Sequence, residues 1–136
     1  MPPPDESMPT KSLDEVVEEL GLYPREAFDF VRLGLNYTVG ELHGDETDPE
    51  VSRHVSGQQL CEGLRDYALK QWGLLASTVL RRWNVTRTDD FGRMVFTLVD
   101  NGFMSKTDDD TQVDFTNVFD FATAFDSGYR IGMKAP

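Results

Sequence analysis

Ser56-Gly57-Gln58-Gln59 has the form of a capping box, a hydroxyl residue followed three places later by a side-chain acceptor. Leu60, Cys61, Leu64, Tyr67, Ala68 and Trp72 follow at helical spacing, and Gly73 stops the pattern. A chain carrying this segment must build its core around an amphipathic helix with one buried face.

The same grammar recurs on both sides. Ser12-Leu13-Asp14-Glu15 is a second capping box, and Leu13, Val16, Val17 and Leu20 predict a short helix closed by Gly21. Pro24 suits the first turn of the next helix, in which Ala27, Phe28, Val31, Leu35 and Val39 are widened by Phe30, Leu33, Tyr37 and Leu42 into a broad apolar arc. Leu75, Val79, Leu80 and Trp83 mark a helix ending near Asn84. Thr88 is read as the cap of another, with Phe91, Met94, Val95, Leu98 and Val99 inward and Asn101-Gly102 as its left-handed end.

Beyond Gly102 the period changes. Phe103 to Thr107, an Asp108-Asp109-Asp110 turn, then Val113 and Phe115 suggest a short β-hairpin near residues 103-115, and Asp120 starts a last short helix burying Phe121 and Phe125. The expectation is a mainly α fold of about five to six helices, winged-helix-like in its second part. A Pro-rich tail (1-11) precedes one globular domain (12-126), made of N-terminal helices (12-42), an acidic loop (43-55) and the winged-helix-like part (56-126); a second tail (127-136) follows.

At 136 residues the chain suits one domain, and its nine Phe, four Tyr and two Trp are too many for a disordered one. No run approaches the roughly 18 apolar residues of a membrane span, and the proline-led N-terminus lacks the basic and apolar regions of a signal peptide, so a cytoplasmic location is expected. A single cysteine, Cys61, excludes an internal disulfide and a CxxC metal or redox pair. The net charge of −11 is uneven: residues 1-55 hold four Lys/Arg against thirteen Asp/Glu, and residues 56-136 hold nine against eleven. Such a field repels phosphate backbones and anionic membranes, so nucleic acid would need a local basic patch.

Two resemblances emerge from the motifs. Val79 to Thr88, the Phe91, Val95 and Leu98 face, Gly102-Phe103-Met104 and Lys106 with Asp108 to Asp110 resemble the turn, recognition helix, exit and wing of a winged helix-turn-helix domain. That resemblance implies DNA contact through Arg81, Arg82, Arg87, Arg93 and, on the wing, Lys106. The first turn of the would-be recognition helix, however, offers Thr88, Asp89 and Asp90. Two adjacent carboxylates suit the positive end of a helix better than a phosphate backbone.

Over residues 12 to 126 the matches are more numerous: Tyr23-Pro24-Arg25-Glu26-Ala27-Phe28, His54-Val55-Ser56-Gly57-Gln58-Gln59-Leu60 with Tyr67-Ala68-Leu69, Trp83, Thr88 with Asp90-Phe91-Gly92, Val95-Phe96, Leu98-Val99, Gly102, Ser105-Lys106-Thr107, and Asp120-Phe121 with Ala124-Phe125. Together they resemble a family of small uncharacterised proteins restricted to Planctomycetes and Verrucomicrobia. The resemblance implies a bacterial, cytoplasmic protein and brings no activity. It does not extend to the proline-led N-terminus or to the acidic stretch 43-50.

Catalytic groups are scarce. Cys61 and His54 could approach across the start of one helix as nucleophile and base, but Cys61 lies on the apolar stripe, where a buried thiol is the ordinary reading. Asp108 to Asp110 with Asp114 offer oxygen ligands without the ordered spacing of a calcium loop, so a solvated turn is preferred and neither metal nor cofactor is expected. Phe96, Phe115 and Phe119 are aromatic beyond the obvious needs of the core. They are candidates for an exposed patch that binds another protein, set against a core stitched together by the C-terminal segment. The leading expectation is a non-catalytic protein-protein interaction module. The alternatives are a winged-helix DNA-binding regulator and a small enzyme using Cys61 and His54.

Overall fold

A computed structural model describes residues 11–44, 55–104, 112–121 and 124–125. They form a mainly α structure: α1 (Leu13–Leu20), α2 (Arg25–His43), α3 (Gly57–Trp72), a 3-10 turn (Gly73–Leu75), α4 (Ala76–Arg82), α5 (Thr88–Asp100) and a second 3-10 turn (Gln112–Phe115). No strand occurs among the described residues, and no described helix is long and apolar enough to cross a membrane. The long acidic stretch and both tails lie largely outside the described residues.

Both capping boxes form. Ser12 Oγ accepts from Glu15 N while Glu15 Oε1 accepts from Ser12 N, and Ser56 and Gln59 repeat the exchange at the start of α3. Gly21 closes α1 in the left-handed conformation (φ 70°). Gly102 follows α5 with φ 83°, and Phe103 N donates to Leu98 O there at 2.8 Å.

α2 and α3 carry the closest helix pairing, and glycine makes it possible. A Cβ on Gly34 would lie 2.2 Å from Leu64 Cδ2, and one on Gly63 would lie 1.9 Å from Thr38 Oγ1. Each helix therefore offers a bare position to a side chain of the other. Thr38, buried in that seam, donates its hydroxyl to Gly34 O at 2.7 Å and so brings no unpaired polar group into the core. Phe28 and Val31 from α2, Leu64 from α3, Leu80 from α4 and Phe91, Met94 and Leu98 from α5 are fully buried around this pair.

The expected hairpin is corrected on its second limb: residues 112–115 form a 3-10 turn, and 105–111 lie outside the described residues. The alternation of Val113 and Phe115 mimics a strand, yet the backbone here is satisfied by a side chain. Thr88 Oγ1 donates to Phe115 O at 2.6 Å and accepts from Val118 N at 3.1 Å. With both groups paired in this way, the segment needs no strand partner at those positions. Thr88 is consequently not the cap of α5 but its first residue, and Asp90 does the capping: its Oδ2 accepts from Thr86 N at 2.8 Å and Arg87 N at 3.1 Å. After the turn, Ala124 N donates to Asp120 O, and Phe125 is fully buried, as the sequence anticipated.

Candidate functional site

The polar centre of the molecule joins the start of α2 to the start of α5. Tyr23, four per cent exposed, donates its hydroxyl hydrogen to Asp90 Oδ1, and Arg93 Nη1 reaches the Tyr23 hydroxyl oxygen at 3.0 Å and Asp90 Oδ1 at 3.3 Å. Asp90 thus serves five donors, the Thr86 hydroxyl at 3.5 Å included, while nearly buried. Burial first, and the Asp90 hydrogen bond and charge next, push the Tyr23 hydroxyl well above its ordinary titration range. Tyr23 stays protonated at neutral pH and, as a donor to Asp90, ties the start of α2 to the start of α5. The sequence showed Asp90 as a charge at a helix start, but nothing in local spacing pointed to Tyr23, which is 67 positions away.

The arginines singled out for nucleic acid are dispersed in their duties. Arg81 and Arg82 end α4 and are exposed, whereas Arg87 pairs with Asp89 at 3.3 Å and Arg93 with Asp90 at 3.3 Å. Lys106 lies outside the described residues. Arg87 also lines a cavity of about 380 Å³ with Thr86, Asn117, Phe119, Asp120 and Phe121, where acid and base are mixed.

Cys61 is fully buried, and burial, then the charges of Glu62 and Asp89, raise its thiol far above the ordinary range. A thiolate nucleophile is not poised there, and His54 lies outside the described residues. Alkylation of Cys61 by iodoacetamide at pH 8 should therefore proceed only as fast as the fold opens, rising on addition of urea. Reaction at the rate of a free thiol in the native protein would contradict the burial. Among the described residues no cluster of three or more His, Cys, Asp or Glu could hold a metal ion; Asp108 to Asp110 lie outside them.

Of the three aromatic candidates for an exposed patch, Phe115 is corrected outright. It is 3% exposed, packs edge-on against Phe96 at 5.9 Å and lies where a Cβ on Gly57 would touch it. Phe96 and Phe119 are half-buried, and Phe119 stacks on Phe121 at 5.7 Å. Phe96 thus packs on Phe115, and Phe119 on Phe121 and Phe125, contacts between α5 and the described part of the C-terminal segment and within that part.

A different set of rings reaches the surface. Tyr37 meets Tyr67 at 5.4 Å, Tyr67 meets Phe30 at 5.6 Å, and Phe30 meets Trp72 at 5.3 Å and Trp83 at 5.9 Å, with the two tryptophans edge to face at 5.4 Å. Phe30 is buried beneath; the other four are half-buried. Leu33, 53% exposed, sits on α2 between Phe30 and Tyr37 at helical spacing, and Leu74 and Leu75, the latter 64% exposed, follow Trp72 after Gly73. The sequence had assigned Tyr37, Tyr67 and Trp72 to core stripes. It missed that the α2 arc is wider than α3 can cover, a signal present in the surplus of apolar residues on α2.

No protein-family model matches the chain, and neither a curated protein nor a solved structure does.

Proposed function

We propose that this chain is a non-catalytic module that binds another protein through the aromatic strip from Tyr37 to Trp83. The continuous run of half-buried rings bordered by exposed leucines carries the reading, because aromatic side chains with an apolar body and a polar tip are enriched at protein interfaces and large apolar patches are uncommon on free surfaces. Its partner is a basic, amphipathic segment. Glu41 and Asp66 both act on the Tyr37 hydroxyl, which burial first and these two charges next push upward, and the whole chain carries −11. On its resemblance alone, we read the chain as akin to the small proteins of Planctomycetes and Verrucomicrobia and as cytoplasmic. The α3–α5 order is read as a helix-turn-helix-like scaffold that supports the strip.

Both tryptophans of the chain lie in the strip, so selectively excited tryptophan emission reports on it. The test is a nuclease-treated pull-down from the native lysate with wild type and the Leu33→Glu, Leu75→Glu double variant, followed by titration of the purified partner against tryptophan emission. The expected result is a partner that shifts the emission and is lost with the double variant. Retention by the variant, an unmoved emission, or loss of every partner on nuclease treatment would each refute the reading, the last in favour of nucleic acid at Arg81, Arg82, Arg87 and Arg93.

A further inference from the structure

On the edge of α2 next to the C-terminal end of α5, Arg32, Leu35 and Asn36 face Gly102, Phe103 and Met104 across a groove of about 470 Å³. The α2 residues are three and four places apart and so form one helix face. Leu35, Phe103 and Met104 are half-buried apolar walls, Asn36 supplies an amide, and Gly102 leaves the rim without a side chain. A volume of this size falls within the range of small-molecule sites.

Arg32 gives the groove its sign. Its guanidinium carbon lies over the Phe103 ring at 6.0 Å from the centroid. In a chain of net charge −11, Arg25, Arg87 and Arg93 each hold a carboxylate, whereas Arg32 makes no hydrogen bond or ion pair among the described residues. With no protein acceptor among the described residues, the Arg32 N–H groups are left for a ligand, and a guanidinium edge matches a carboxylate in a two-point contact. Half-buried against apolar walls, such a contact is screened less than one in open water.

We propose that this groove is a binding site for a small organic acid: its carboxylate on the Arg32 edge, a further polar contact to the Asn36 amide, and its apolar body against Leu35, Phe103 and Met104. Arg32 supplies the charge, and the walls select against short polar acids, which would leave them wet. The site borders the aromatic strip on α2, Leu33 and Asn36 being three places apart, but it does not depend on the reading given to the strip.

The probe is hydrocinnamate, titrated into the full chain and followed in a nitrogen–proton correlation spectrum at the Gly102 backbone and Asn36 side-chain amides, with hydrocinnamyl alcohol and acetate as matched controls. Hydrocinnamate is expected to shift both signals and to bind about tenfold or more tightly than the alcohol, the difference a charge-assisted hydrogen bond makes. Acetate should bind more weakly than hydrocinnamate by a similar factor, for want of an apolar body. Arg32→Met should abolish the preference for the acid over the alcohol, with Arg32→Lys restoring part of it; both variants should keep the dispersed spectrum of the native fold, since Arg32 donates no hydrogen bond among the described residues. Equal binding of acid and alcohol, an unaltered preference in Arg32→Met, or shifts that spare Gly102 and Asn36 would overturn the proposal.

Discussion

Gly63→Ala is expected to lower stability by about 2–3 kcal/mol, even though alanine is the better helix former by about 1 kcal/mol. The added Cβ would lie 1.9 Å from Thr38 Oγ1 and 2.7 Å from Thr38 Cβ. The second distance sets the size of the effect. Cβ is fixed to the α2 backbone, so no rotamer of Thr38 relieves the clash, and the two helices must move apart along their most intimate seam. Gly34→Ala provides the contrast. Its new Cβ would meet Leu64 Cδ2 at 2.2 Å, but the next Leu64 atom, Cγ, is 3.5 Å away, so a turn of one side chain removes most of the conflict. Gly34→Ala should therefore cost clearly less, about 1 kcal/mol or under. Urea melts of the two variants decide the matter, and Thr38→Gly placed in the Gly63→Ala background should recover part of the loss. An equal cost for both glycine variants, or no recovery, would show that the seam yields as a whole and that these two contacts do not define it.

That seam marks the limit of what a single sequence reveals. Helices, their caps and their inward stripes are local properties: Ser12, Ser56, Gly21 and Gly102 act where reading along the chain placed them. Phe125 is buried where the apolar pattern sends it, and Phe121, half-buried, meets it at 5.0 Å and Phe91 at 5.8 Å. Gly34 and Gly63 carry no such message. A glycine inside a helical pattern reads as a weak point until the partner helix supplies the atom that would collide with its Cβ.

The same holds for the sites. Thr88 was given the cap because hydroxyl residues favour that position, but its hydroxyl is drawn to Phe115 O from a segment 27 residues on, and Asp90 takes over. This one exchange undid both the proposed cap and the second limb of the proposed hairpin. The candidate surface failed for a related reason. The surroundings of Phe115 leave exposure and burial both open along the sequence, whereas Gly57 leaves room for its ring against α3. The aromatic strip was present in the sequence as an excess on α2, and only the packing of α2 on α3 shows which part of that excess remains uncovered.

Removing the carboxylate of Asp90 should be the most damaging polar change available among the described residues. Asp90→Ala leaves Thr86 N and Arg87 N without their acceptor at the start of α5, deprives the buried Tyr23 hydroxyl of its partner and frees Arg93. A lost cap costs about 1 kcal/mol and an orphaned buried hydroxyl about 1–3 kcal/mol, so a loss of about 3 kcal/mol is expected from chemical denaturation. Asp90→Asn keeps one acceptor oxygen and should fall between, because that oxygen can serve the cap or the tyrosine and not both. A second measurement separates the clasp from a simple cap. The folded state holds the Tyr23 proton above the ordinary tyrosine value of 10.0, so above about pH 10 the unfolded chain releases a proton that the folded chain retains, and stability declines as pH rises. Tyr37 and Cys61, also shifted upward, add slopes of the same sign, so the diagnostic quantity is a difference. Tyr23→Phe should lose stability at pH 7 and decline less steeply than wild type between pH 10 and 11. A parallel alkaline decline in the two proteins would mean that the Tyr23 hydroxyl is not held by Asp90, and would reduce the role of Asp90 to the end of α5.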